Sequence, residues 1–148
     1  GVGANNTASN VLDDYEEGTH IVTMTDTGGA ATITPHNSYK TLAYLKVGRL
    51  VHVQGVLLAS AVSTTMTGTL RISLPFAADT IASGAGRSYI TLGAYNVDFT
   101  SGTSPYGAVA QGGSYFDGQV SADNANGGQY RITSSSQMYV AGTYYASA

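Results

Sequence analysis

Short runs rich in Val, Ile, Thr and Tyr, each cut off by a Gly-bearing turn after about ten residues, constrain this chain more than any other feature. The runs are residues 20–25, 31–34, 38–46, 49–58, 67–73, 88–92, 94–99, 114–120, 129–133 and 137–144. Gly28-Gly29, Val47-Gly48, a loop over 101–107, Gly112-Gly113, Asn126-Gly127-Gly128 and the serine run 134–136 separate them. These are turn-forming residues, and helical periodicity is absent between them. The spacing predicts an all-β fold, an antiparallel β-sandwich of jelly-roll type with almost no helix.

Two of the runs are apolar on both faces. By period-two alternation Val51, Val53 and Leu57 share one side of 49–58, while Leu50, Val56 and Leu58 share the other with His52 and Gln54. In 38–46, Leu42 and Tyr44 oppose Tyr39, Ala43 and Leu45. A strand with one wet face alternates polar and apolar. Two-sided strands therefore predict a second buried surface, either within a larger fold or between subunits, and the shortage of charge favours the subunit interface. Charged residues make up only 10% of the 148, against about 25% in an ordinary soluble domain.

The same charge scarcity excludes partners. Six Lys and Arg, dispersed from Lys40 to Arg131 in a chain of net charge −3, form no cluster able to neutralise phosphates, so no nucleic acid is expected. No apolar run approaches the roughly 18 residues of a membrane span, so no membrane insertion is expected. Acidic charge is concentrated instead at Asp13, Asp14, Glu16 and Glu17. These could gather Ca²⁺, but a solvated acidic collar, or pairing with Lys46 or Arg49 of another copy, is the expected state.

Enzyme signatures fail in turn. There is no GxSxG elbow, no GxxxxGK phosphate loop and no HExxH zinc helix. GAGRSY at 84–89 departs from a dinucleotide fingerprint at its last position. DNANGG at 123–128 places Ala125 and Gly127 where a calcium loop needs oxygen ligands, and reads as a hairpin turn. His20, His36 and His52 lack metal-ligand spacing, although three copies of His52 could meet around an axis. No enzyme activity, cofactor or metal is expected.

Asn10-Val11-Leu12-Asp13-Asp14-Tyr15-Glu16-Glu17-Gly18-Thr19 resembles the signature that opens the C-terminal domain of many bacteriophage tail-fibre and other virion proteins, where it reads LDDYEEGTW. A second element of that family, Y-x-K-I/V-G leading into a Val-rich strand, resembles Tyr44-Leu45-Lys46-Val47-Gly48 and the strand after it. A third, ISGLPF, resembles Ile72-Ser73-Leu74-Pro75-Phe76 without its glycine. Order and spacing agree over about residues 10–80. His20 stands where the family has Trp, and the half after Ile81 carries no further motif beyond a closing strand at Val140–Tyr145.

The resemblance implies a structural or adhesive virion protein: residues 1–18 as an extended lead-in from a fibre shaft near a three-fold axis, and 19–148 as a trimeric knob. Its expected role is host-surface recognition, with a glycan as receptor and other virion proteins as partners. The alternatives are a trimerisation tip, a capsid decoration or head fibre, and a polysaccharide-degrading tailspike. Tyr usage points to the adhesive surface, since 11 Tyr stand against three Phe and no Trp. A phenol presents a flat apolar face and an edge hydroxyl at low conformational cost. Tyr95, Asp98, Tyr106, Tyr115 and Asp117, in or beside expected loops of the second half, are the candidate ligand-binding residues. Tyr106, framed by Pro105 and Gly107, is the first of them.

Overall fold

The computed structural model describes residues 14–97, 103–122 and 125–147. Eleven antiparallel strands form one hydrogen-bonded sheet, and the only helical feature among the described residues is a 3₁₀ turn at Ser83–Gly86. The strands are β1 (Tyr15–Ile21), β2 (Met24–Asp26), β3 (Ile33–Pro35), β4 (Thr41–Val47), β5 (Leu50–Val62), β6 (Leu70–Ser73), β7 (Ser88–Tyr95), β8 (Thr103–Val109), β9 (Tyr115–Ala122), β10 (Ala125–Gln129) and β11 (Gln137–Tyr145). Their order is β1-β4-β5-β11-β7-β8-β9-β6-β2, with β10 on β9 and β3 on the far end of β5. The expected antiparallel all-β class is the one observed.

The order also explains how the sheet closes. Its first and last strands, β1 and β2, are separated by Val22 and Thr23 alone. Val22 donates to the Lys40 carbonyl at 2.8 Å on the β4 side, while Ser73 donates to the Thr23 carbonyl at 3.1 Å on the β6 side. One extended run thus passes from one edge of the curled sheet to the other, the sheet-switching corner of a sandwich. Inside lie Leu42, Val51, Val53, Leu57, Leu70, Ile72, Ile90, Phe116, Met138 and Tyr144, all fully buried.

The three motif elements converge on this closure. Gly18 pairs with Tyr44 across β1 and β4, and a β-carbon on Gly18 would stand 2.8 Å from Tyr44 Oη, so a bare α-carbon leaves room for the ring. Tyr44 Oη donates to Glu16 at 2.6 Å, and the Tyr44 ring meets Phe76 edge-on at 5.1 Å. His20 Nε2 lies 2.9 Å from Ser73 Oγ, a polar contact between β1 and the end of β6. Burial lowers the His20 pKa, opposed by the Ser73 contact. Phe76 is also held from the last strand: Tyr144 Oη donates to its carbonyl at 3.0 Å and accepts from its N–H at 3.2 Å. Burial pushes the Tyr144 phenol up to about 12, against the Phe76 hydrogen bond. Gly48 takes φ +58° in the turn joining β4 to β5, which a side chain would strain.

Several expected elements are corrected. Asp14 pairs with Lys46 of its own chain at 3.0 Å, and Arg49 pairs with Asp79, so neither cation is left waiting for another copy's carboxylate. The acidic stretch enters the sheet at Tyr15, because Glu16, Gly18 and His20 find inner-face partners on β4 and β6. The runs 88–92 and 94–99 are joined through Gly93, which pairs with Tyr139 inside β7. Residues 130–133 are not a strand, and Gly128, expected in a turn, pairs with Val120 in β10.

The loop expected over 101–107 is largely strand β8. Pro105 suggested a turn, yet β8 meets β7 only from Tyr106 onward, so at Pro105 it has β9 alone beside it. Proline is tolerated on such a one-sided stretch because its missing N–H breaks no ladder there.

Candidate functional site

Residues directly opposite in an antiparallel pair share a face, so the outer surface can be read strand by strand. On one half it carries Tyr15 and Ile21 of β1, Leu45 and Val47 of β4, Leu50 of β5, and Tyr139 and Tyr145 of β11. Tyr89 and Tyr95 of β7 continue the row. Apart from Tyr39, every exposed large hydrophobic among the described residues lies on this face. Inner-face neighbours on the same strands, such as Leu42 and Val51, are fully buried. His52 lies on the apolar half, opposite Leu45 and Thr143.

Beyond β7 the face changes. Tyr106 on β8 stands opposite Thr91 of β7 and Gln119 of β9; Ala108 stands opposite Tyr89 and Asp117; Asp117 in turn stands opposite Arg71 of β6. The Tyr89 and Tyr106 rings meet edge-on at 5.3 Å. Arg71 grips Asp117 through Nε at 2.7 Å and Nη2 at 2.9 Å, while its guanidinium carbon lies 3.7 Å from the centre of the Tyr115 ring. The hydrogen bond to Asp117 raises the Arg71 pKa against the effect of burial. Beside Tyr89 and Asp117 is a depression of about 200 Å³, bordered also by Arg87, Ala108 and Gln119.

The structure therefore places Tyr106, Tyr115 and Asp117 on one face, on strands rather than on loops, with Tyr115 and Asp117 joined through Arg71 and Tyr106 set against Tyr89. Tyr95 shares their face but sits at the other end of β7 from Tyr89, about 20 Å along the strand at 3.3 Å per residue. Asp98 lies outside the described residues. Arg71, Tyr89 and Gln119 were missed by sequence reasoning. The alternation Tyr115, Asp117, Gln119 could have shown the last of these, whereas Arg71 and Tyr89 reach the cluster only through strand pairing. Among the described residues no group of three or more His, Asp or Glu side chains is placed to hold a metal ion.

No family model matches the chain, and no curated protein matches it in sequence. Among solved structures it superposes on the crystal structure of Dettilon tailspike protein (gp208) with a TM-score of 0.72 at 16% identity. The match covers 90% of this chain and 24% of that one, so the chain spans about a quarter of the tailspike's length. At this identity the likeness is one of fold: the curled antiparallel sheet is an architecture used within a phage tailspike protein.

Proposed function

We propose that this chain is a domain of a phage tail appendage that assembles as a homotrimer and presents the β7-β8-β9-β6 surface to a glycan on the host cell. The observation that carries the reading is the division of the outer face, taken with the tailspike fold. Contiguous exposed apolar surface on a soluble protein marks an interaction site. The half formed by β1, β4, β5 and β11 is such a surface, and identical copies are its partners. The other half has the composition of a sugar-binding face: Tyr89 and Tyr106 as ring platforms, with Asp117, Gln119 and Arg87 beside them for hydroxyl groups. The decapeptide resemblance supports the same placement in the virion.

Recognition rather than cleavage is the proposed activity. Glycoside hydrolysis takes a pair of carboxyl groups. The cluster offers Asp117, and Arg71 holds both of its oxygens. The test is adsorption to host cells, or capture of host polysaccharide, by the double variant Tyr89→Ala/Tyr106→Ala. Loss of two stacking platforms at about 1 kcal/mol each is expected to weaken capture roughly tenfold or more, with the oligomer unchanged. Undiminished capture would leave assembly as the domain's role, and release of reducing ends by the wild-type protein would overturn the non-enzymatic reading.

A further inference from the structure

A second cavity, of about 420 Å³, lies at the end of the sandwich between residues 62–66 and 131–134. That volume is in the range of small-molecule sites. Val62, Met66 and Ile132 form its apolar part, with Met66 and Ile132 buried and the Ile132 N–H directed to Met66 Sδ at 3.3 Å. Thr64, Thr65 and Thr133 supply a rim of hydroxyl groups, and Arg131 completes the wall.

Arg131 differs from the three cations that the fold pairs with a carboxylate. Lys46, Arg49 and Arg71 each face a carboxylate. The Arg131 guanidinium donates only to neutral acceptors: Nε to the Gly68 carbonyl at 3.3 Å, and Nη2 to the Thr67 carbonyl at 3.3 Å and to Gln129 Oε1. Those three bonds take three of the five N–H groups and leave the two on Nη1 uncommitted among the described residues. The same loop is fixed from its other side, where the buried Asp26 carboxylate accepts the N–H groups of Thr67 at 3.1 Å and Gly68 at 2.8 Å. An arginine without a carboxylate partner among the described residues thus borders a cavity that offers both apolar contact and hydroxyl groups.

We infer that this cavity binds a sugar residue bearing a carboxylate, its acid group on Arg131, its hydroxyls on the threonine rim and its C–H face on Met66 and Ile132. The inference rests on the glycan reading above and narrows it to acidic saccharides. A guanidinium matches a carboxylate in geometry as well as charge, and such charge-assisted bonds are the strong ones. An apolar floor favours a sugar acid over a bare anion, because inorganic phosphate would leave it uncovered.

The test is titration of the isotopically labelled full chain with sodium glucuronate, with glucose and inorganic phosphate as controls, following the amide shifts of Met66, Ile132 and Thr133. Saturable shifts with glucuronate are expected, roughly tenfold weaker in Arg131→Gln and with either control, as loss of one charged hydrogen bond implies. Thr65→Trp fills the cavity from an exposed position without touching the loop contacts, and is expected to abolish the shifts; it decides the matter if Arg131→Gln does not fold. No saturable shift with glucuronate, glucose equal to it, phosphate equal to it, or indifference to Thr65→Trp would each overturn the inference. Failure of glucuronate while the wild type still captures host polysaccharide through Tyr89 and Tyr106 removes this cavity and leaves the proposed function. Glucuronate binding here with no polysaccharide captured does the reverse.

Discussion

On β4, β5 and β11 the outer face carries Leu45, Val47, Leu50, Tyr139 and Tyr145; on β8, β9 and β6 the same face of the same sheet carries Tyr106, Asp117, Gln119 and Arg71. Pleat, pairing and inner core are alike in the two halves. They differ in how the outward side chains are satisfied. In the second half Arg71, Asp117 and Tyr115 complete one another within the chain, so the surface is stable facing water. In the first half the outward Leu, Val and Tyr side chains have only their neighbours on the same face, where Glu17, opposite Leu45, accepts from Tyr15 at 2.6 Å, while Lys46 and Glu16 turn toward the sheet's closure. Burial against another copy, as proposed above, would remove that apolar surface from water at about 25 cal/mol per Å². One sheet thus carries an apolar side and a side whose polar groups complete one another.

The largest expected effect breaks the first half. Leu45→Glu with Leu50→Glu places like charges at the centre of the apolar surface, and the scattering mass is expected to fall threefold, to the 15.2 kDa of one chain, with the β-type circular dichroism retained. A wild-type protein that already scatters as 15.2 kDa would dissolve the comparison.

Next comes the frame beneath both halves. Asp26 is 6% exposed and accepts N–H bonds from Gly28, Ala31, Thr67 and Gly68. Burial pushes its pKa up, but the four bonds outweigh it and hold the group at about 2, below its ordinary 3.8. A depressed carboxylate contributes stability that is complete above 3.8 and lost as pH falls toward about 2. Asp26→Ala is expected to cost roughly 2–4 kcal/mol in denaturant unfolding at neutral pH, because buried N–H groups lose their acceptor. The variant should also show less destabilisation than wild type on going from pH 4 to pH 2.

The remaining two changes sharpen the contrast between the halves. Asp117→Asn breaks a pair whose side chains are 35% and 24% exposed, so only about 1 kcal/mol of stability is expected to go, while glycan capture falls more than stability does. Tyr44→Phe removes the exposed Glu16 bond and is expected to lower the melting temperature by a few degrees at most, with capture and mass unchanged.

Strand type was legible because alternation is a local property: Val51, Val53 and Leu57 were placed on one side of their run from spacing alone, and Leu42 with Tyr44 on one side of theirs, and all but the half-buried Tyr44 are fully buried. Strand limits were less so. Pro105 and Gly93 carry the chemistry of turns, and only the neighbouring β9 and β11 reveal that each sits in a strand. The candidate site was half legible for the same reason. Tyr115 and Asp117 are two residues apart on one strand and were named together, whereas Arg71 lies 46 residues from Asp117 and enters through register.

The sequence by itself determined an antiparallel all-β chain with two-faced strands, a shortage of charge and a surplus of tyrosine, since period-two patterning and composition are carried by each segment alone. The tertiary structure decided which of those faces meet. It brought Glu16, Tyr44 and Phe76 together at the closure, drew Asp14 onto Lys46 of its own chain, and set Tyr89 against Tyr106. Those meetings depend on strand order and register across long separations, and a one-residue slip in either would turn every one of these side chains to the opposite face.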